Sequence, residues 1–173
     1  MILGLDISTV CTGIAILDND GKLVLTDFAA SDSKDLDLFD KTKLQLSIIN
    51  EIIEKYDITH IFIESPLQKF RPGSSSAHTI AVLLKVNYAV SWVLYATYGI
   101  KAEFLSRSSA RVGVCGTKKR GEKDKKICLD WCILNEPLFS LTMGPRGGIK
   151  PFNYDKADAI IIARAGFWKV HPR

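Results

Sequence analysis

Met1-Ile2-Leu3-Gly4-Leu5-Asp6-Ile7-Ser8-Thr9 opens the chain with a short apolar run that carries a carboxylate in its middle. Ile2, Leu3, Leu5 and Ile7 read as a buried strand. An unpaired carboxylate in such a strand costs several kcal/mol or takes up a proton, so Asp6 implies a compensating metal ion, cation or ligand. The same pattern returns in Ile61-Phe62-Ile63-Glu64-Ser65-Pro66 and again, twice, in Tyr154-Asp155-Lys156-Ala157-Asp158-Ala159-Ile160-Ile161-Ile162. Four acids in three apolar settings point to one site.

Working outward from Asp6, residues 2–7 and 12–17 form two strands joined by a polar turn. Asp18-Asn19-Asp20-Gly21 is a hairpin turn signal that leads into a third strand over 22–28. A helix over 37–56 follows, with its apolar stripe built from Leu38, Leu44, Leu46, Ile48, Ile49, Ile52 and Ile53. Thr59 to Glu64 is a strand buried on both faces, and a strand after a crossover helix runs parallel to an earlier one. Residues 76–98 form a helix that is apolar nearly all round and so packs centrally or at a dimer face. A short strand over 101–105 and helices over 108–114, 123–134 and 154–168 complete the chain, with 65–75 and 135–153 as loops. The expected fold is α/β: a mixed five-stranded sheet, three antiparallel strands then two parallel ones, flanked by helices.

The 173 residues fit one domain, and 47% apolar with 24% charged residues describes a globular, soluble chain. The run of apolar residues nowhere suggests a membrane span, and Met1-Ile2-Leu3 leads straight into a strand where a signal peptide would be. None of the four cysteines forms a CxxC pair, and Cys128 and Cys132 share a helix face without the partners zinc requires. They read as packed free thiols of a reducing cytoplasm. The net charge of +4 is unevenly spread: Lys118, Lys119, Arg120, Lys123, Lys125 and Lys126 fall within nine positions. A basic segment beside an acidic site suits a polyanion.

Asp6 and Glu64 can emerge on one side of the sheet if their strands are neighbours. Asp155 and Asp158, three apart at a helix start, face the same way and can dock against them. Four hard oxygen donors suit Mg²⁺, with Mn²⁺ as a substitute. Two such ions about 4 Å apart clamp the attacking and leaving oxygens of a phosphodiester.

The set resembles the RuvC family of Holliday-junction resolvases, within the RNase H-like superfamily. Gly4-Leu5-Asp6-Ile7-Ser8-Thr9 with Thr12-Gly13 looks like that family's first strand and hairpin, Ile63-Glu64-Ser65-Pro66 like its second acidic motif, and Asp155-Lys156-Ala157-Asp158-Ala159 like its closing motif. The compact size and the distance from typical cellular members suggest a bacteriophage or virus-like branch. The resemblance implies a cytoplasmic homodimer that cuts four-way DNA junctions with Mg²⁺ in recombination, repair or replication-linked processing. Asp6, Glu64, Asp155 and Asp158 become the metal ligands, two ions per site, with Asp6 bridging. Lys125 or Lys126 becomes the cation near the metals, with Arg111 as a second candidate. Lys118, Lys119, Arg120 and Lys123 are expected on the DNA backbone. So are Lys69, Arg71 and Ser74 of the loop after Glu64, where Phe70 either stacks on an unpaired base or packs on the long helix.

Three alternatives remain at the level of sequence, one of them a binding module without catalysis, against which the retention of all four acids argues. The same fold serves other nucleases of branched DNA or RNA–DNA hybrids. Asp6 with Ser8, Thr9, Thr12 and Gly13 also resembles the phosphate loop of the sugar-kinase and actin group, although the chain is short for their two lobes. No Ser-His-Asp order or P-loop is present.

Overall fold

The computed structural model describes residues 1–31, 33–66, 76–117 and 124–172. Five strands form one sheet: β1 (Ile2–Asp6), β2 (Cys11–Leu17), β3 (Leu23–Ala30), β4 (His60–Glu64) and β5 (Glu103–Leu105). Their order is β3-β2-β1-β4-β5. β1, β2 and β3 pair antiparallel, whereas β4 pairs parallel with both β1 and β5. The expected three-plus-two mixed sheet is present.

Helices cover both faces. α1 (Leu38–Ile53) and α2 (Ala77–Tyr98) lie on one side; α3 (Arg107–Cys115), α4 (Asp124–Asn135) and α5 (Phe152–Val170) lie on the other. The alternation of side chains along a strand divides the core between the two faces. Leu3, Leu5, Ile14, Ile16, Ile61 and Ile63 pack with Ile49, Ile52 and Ile53 of α1 and with Val86, Val90 and Leu94 of α2. Ile2, Ala15, Leu17 and Phe62 point the opposite way, into the α3–α4–α5 layer. Asp6 and Glu64 follow Ile2 and Phe62 in this period, so they belong to the α5 face.

α5 lies unusually close to that face because the sequence is small where the two meet. A Cβ on Gly4 would come within 2.5 Å of the Ala159 carbonyl oxygen and 2.6 Å of the Ala163 nitrogen. One on Gly13 would fall 1.9 Å from the carbonyl oxygen of Asp155, and Gly166 sits flat on the Phe62 ring. The start of α5 is fixed by further contacts. Phe28 of β3 stacks on Phe152 with ring centroids 4.0 Å apart. Buried Asn153 accepts from the Thr142 amide at 3.0 Å and donates to the Thr142 and Lys150 carbonyls, tying the irregular 136–151 segment to the helix. Farther along, Arg164 makes a two-pronged contact with buried Glu136 at 2.6 and 2.8 Å and donates to the Gly21 carbonyl in the β2–β3 turn. α5 is thereby held to the sheet, to α4 and to the hairpin at once.

The remaining ends obey local rules. Asp37, Ser76 and Ser106 cap α1, α2 and α3 by accepting from the amides of Asp40, Thr79 and Ser109. Gly99, at φ +70°, ends α2 in the left-handed region. α2 corrects the membrane expectation in one respect: by length and composition it could cross a bilayer. Its Val86, Val90 and Leu94 are nevertheless buried against the sheet, while Tyr88, Trp92 and Tyr95 are 57%, 69% and 53% exposed. Among the described residues the four cysteines form no disulfide: Cys128 and Cys132 are buried, and Cys11 and Cys115 are half-buried.

Gly13→Ala must push the α5 backbone outward, an overpacking that costs about 1–3 kcal/mol or more. Gly113→Ala, in the middle of α3 with nothing near the added methyl, should stabilise by up to about 1 kcal/mol through helix propensity alone. Urea unfolding of the two variants checks the contrast; equal effects would mean that the α5 approach is soft.

Candidate active site

Asp6 is the last residue of β1 and Glu64 the last of β4. The two strands are parallel neighbours with Leu5 opposite Ile63, so the next residue on each strand places the two carboxylates side by side. β1 stops at Asp6 because the chain turns there. The Ser8 hydroxyl accepts from the Val10 and Cys11 amides and donates to the Cys11 carbonyl at 2.7 Å. Asp158 enters from above on the second turn of α5, at the level set by the Gly4 and Gly13 contacts. Ligand oxygens of Asp6, Glu64 and Asp158 all lie within 4.8 Å of one another. Three of the four expected acids therefore meet in one corner.

Asp155 lies one turn earlier on α5, over Gly13. It is outside the tight trio, and the Lys125 ammonium stands 3.7 Å from its carboxylate. The register of α4 places the two adjacent lysines differently. Lys125 faces the acids, whereas Lys126 donates to Asp130 on its own helix at 2.5 Å. Arg111 is partly buried on α3 and its charge reaches Cys115. Lys69, Phe70, Arg71, Ser74, Lys118, Lys119, Arg120 and Lys123 lie outside the described residues.

A further cation occupies the centre of the site. Arg107, the first residue of α3, donates from Nη2 to Oδ2 of Asp158 at 2.7 Å, and its Nε is 3.7 Å from Oε2 of Glu64. No motif marks it in the sequence, and 51 residues separate it from Asp158. One weak signal exists: a cation at a helix N-terminus opposes the macrodipole, so an arginine directly after the Ser106 cap needs a nearby anion.

The electrostatics follow from crowding. Burial raises the Asp6 carboxyl well above its ordinary range, and Glu64, Asp158 and Asp155 push it in the same direction against Arg107. Burial likewise raises Glu64 to about 7, with Arg107 and Lys125 opposing and Asp158 and Asp155 adding to the shift. Asp158, only 3% exposed, is raised by burial although Arg107, a hydrogen bond from the Cys128 thiol and Lys125 all favour its charge. Burial works against the charge of Arg107 itself, and Asp158, Glu64 and Asp6 outweigh it. Three crowded carboxylates, Asp158 buried and Asp6 and Glu64 half-buried, face one close guanidinium and the more distant Lys125, which leaves the corner short of positive charge. The donors are all hard oxygens, and a divalent ion of the Mg²⁺ or Mn²⁺ kind fits them.

The phosphate-loop residues of the sugar-kinase reading are engaged inside the fold. Ser8 closes the β1–β2 turn, buried Thr12 donates to Gln45 at 2.6 Å, and Gly13 lies under the α5 backbone.

No family model matches this chain, and no curated protein matches it. Among solved structures, Thermus thermophilus RuvC in complex with a Holliday junction substrate superimposes with a TM-score of 0.63 at 12% identity, covering 99% of this chain and 95% of that one. A second Thermus thermophilus RuvC structure gives a TM-score of 0.60 at 13% identity, covering 98% and 95%. The yeast mitochondrial Holliday junction resolvase Ydc2 gives 0.56 at 19%, covering 98% and 78%. At these identities the likeness is one of fold, and it bears out the RNase H-like sheet expected from the resemblance.

Because the folded-state value of Glu64 lies above that of an ordinary glutamate, the folded protein binds more protons than the unfolded chain between about pH 4.5 and 7. Without divalent ions, stability should be greatest at low pH within that window and fall by about 1–3 kcal/mol as pH rises through 7. Mg²⁺ should restore it, and Glu64→Gln should make the profile shallower, leaving the part that Asp6 and Asp158 contribute. Thermal melts from pH 5 to 8, with and without Mg²⁺, test this; a stability that rises with pH would contradict it.

Proposed function

We propose that this protein is a divalent-metal-dependent endonuclease of branched DNA that resolves four-way junctions by paired nicks. The observation that carries the reading is the meeting of Asp6, Glu64 and Asp158 within 4.8 Å, in a sheet of the arrangement shared with the junction-bound RuvC structure. Asp6, Glu64 and Asp158 would hold the divalent metal, with Asp155 beside them. Bound Mg²⁺ supplies a lowered pKa for a water nucleophile and neutralises the leaving oxygen.

The chain's own residues do the rest. The α5 face excludes water from Asp158 and fixes its angle. Lys125, placed beside Asp155 and more than half exposed, offers a positive charge to the phosphodiester as its own charge grows during cleavage. In the sequence, residues 118–123 directly precede α4, which carries Lys125, and residues 67–75 follow soon after Glu64. This adjacency in the chain supports their assignment to DNA contact.

Symmetric nicking requires two sites, and a second copy of the chain would supply the other. Tyr88, Trp92 and Tyr95 follow one another at helical spacing on the outer side of α2, exposed as a ridge. Aromatic side chains presented together on one helix face suit burial against an identical helix.

Asp6→Asn should lower cleavage of a synthetic four-way junction in Mg²⁺ by about a thousandfold or more while leaving junction binding within a few-fold. A gel assay with strand-specific labels reads both the rate and the symmetry of the cuts. Preferential cutting of an RNA–DNA hybrid, or full activity in Asp6→Asn, would overturn the assignment. Trp92→Glu should convert a dimer to a monomer in light scattering and replace paired nicks by single ones; a monomeric wild type would remove the α2 interface.

A further inference from the structure

Arg107 is placed where an ordinary structural arginine would be costly. It starts α3, where the helix dipole disfavours a cation, and its side chain is about two-thirds buried, at 35% exposure. Its best hydrogen bond goes to Oδ2 of Asp158, and its Nε approaches Oε2 of Glu64 only to 3.7 Å. That Nε is buried without a hydrogen-bond partner. The guanidinium fork, built to grip an oxyanion with two parallel N–H groups, is therefore only half used by the carboxylates it touches.

The same oxygens are the donors that a divalent ion needs. A guanidinium and a hard dication cannot both take Asp158 and Glu64 at short range without repelling each other strongly in a partly buried corner. The exposed third of the Arg107 side chain leaves it a path toward solvent, the side from which a phosphodiester must approach.

We propose that Arg107 is a hand-over cation: its guanidinium holds Asp158 and Glu64 in place, yields them to the divalent ions, and then grips the phosphodiester at the site. This rests on the carboxylate trio being the metal centre of the proposed nuclease. The built-in cation keeps three like charges from forcing α5 off the sheet, and the same side chain becomes a substrate contact once the metals neutralise the acids. It differs from Lys125 in both respects. Lys125 pairs with Asp155, outside the trio, and as a point charge it makes no forked contact.

Three measurements on the 173-residue protein decide it. In Mn²⁺ titrations by calorimetry, without DNA, Arg107→Gln should bind the ion at least about fivefold more tightly than wild type, because its competitor is gone. The metal-free variant should also melt lower and recover more on Mn²⁺ addition. In Ca²⁺, with an intact four-way junction as probe, Arg107→Gln should bind DNA about tenfold more weakly, the loss of one charged contact of about 1.4 kcal/mol. Arg107→Lys, which keeps the charge and the fold, should bind Mn²⁺ within about twofold of wild type and show an intermediate loss of junction affinity. Unchanged or weaker Mn²⁺ binding in Arg107→Gln would reduce Arg107 to a structural brace. Tighter Mn²⁺ binding with unaltered junction affinity would overturn the hand-over. The metal titration contains no DNA and so reads independently of the junction assignment, which the wild-type cleavage assay tests by itself.

Discussion

The contact between the α5 backbone and the sheet at Gly4 and Gly13 is the constraint on which the rest of the molecule depends. With side chains at these two positions, α5 would stand off by an ångström or more and Asp158 would no longer share a corner with Asp6 and Glu64. The surrounding sequence serves the same approach. Ala159 and Ala163 present small faces to β1, Gly166 admits the Phe62 ring, and the Arg164–Glu136 pair and the Phe28–Phe152 stack hold the helix at its two ends. Close packing is the means here, and its result is electrostatic: three carboxylates are brought together against their mutual repulsion, and packing energy offsets what Arg107, Lys125 and the Cys128 thiol leave uncompensated.

That arrangement explains why cations and donors gather around the acids. Arg107 divides its charge between Asp158 and Glu64, Lys125 attends Asp155, and the Cys128 thiol donates to Asp158. Each favours the ionised state of an acid that burial pushes the other way. The balance still leaves all three acids of the trio raised. A corner that is partly buried and short of cations gains from a small dication, since the attraction is less screened there than in water and the ligands are already gathered.

Much of this was legible in the sequence, for identifiable reasons. Asp6 and Glu64 stand out because apolar neighbours on a strand leave a carboxylate no ordinary role. Strand pairing follows from the hairpin turn at Asp18 to Gly21 and from the crossover through α1. What the sequence does not reveal is distance. Asp155 and Asp158 look equivalent at a separation of three, and only the height of α5 over Gly13 sets one inside the trio and the other beside it. Lys125 and Lys126 are adjacent and therefore point about 100° apart on a helix, so the register of α4 selects between them. Arg107 escapes because its partners are contributed by β4 and α5, far away in the chain. α2 shows the converse: its composition is apolar all round, yet the sheet takes only the Val86, Val90 and Leu94 stripe and leaves the aromatic ridge outside.

The sheet also separates the two activities that junction resolution would need. The carboxylate corner lies on the α3–α4–α5 face, and the Tyr88–Trp92–Tyr95 ridge belongs to a helix on the opposite face. Both are reached from β4, whose last residue is Glu64 and whose following segment leads into α2. A second copy seated on the ridge would therefore leave each carboxylate corner uncovered, with the segment between Glu64 and α2 as the shortest covalent path from one to the other. In such an assembly the spacing of the two cuts is fixed by a rigid sheet and not by a linker, because the sheet is the layer that joins the α2 face to the site face. Selectivity for a substrate with two equivalent strands at a fixed separation would then follow from the thickness and width of the protein itself, with the carboxylates needing no knowledge of DNA sequence.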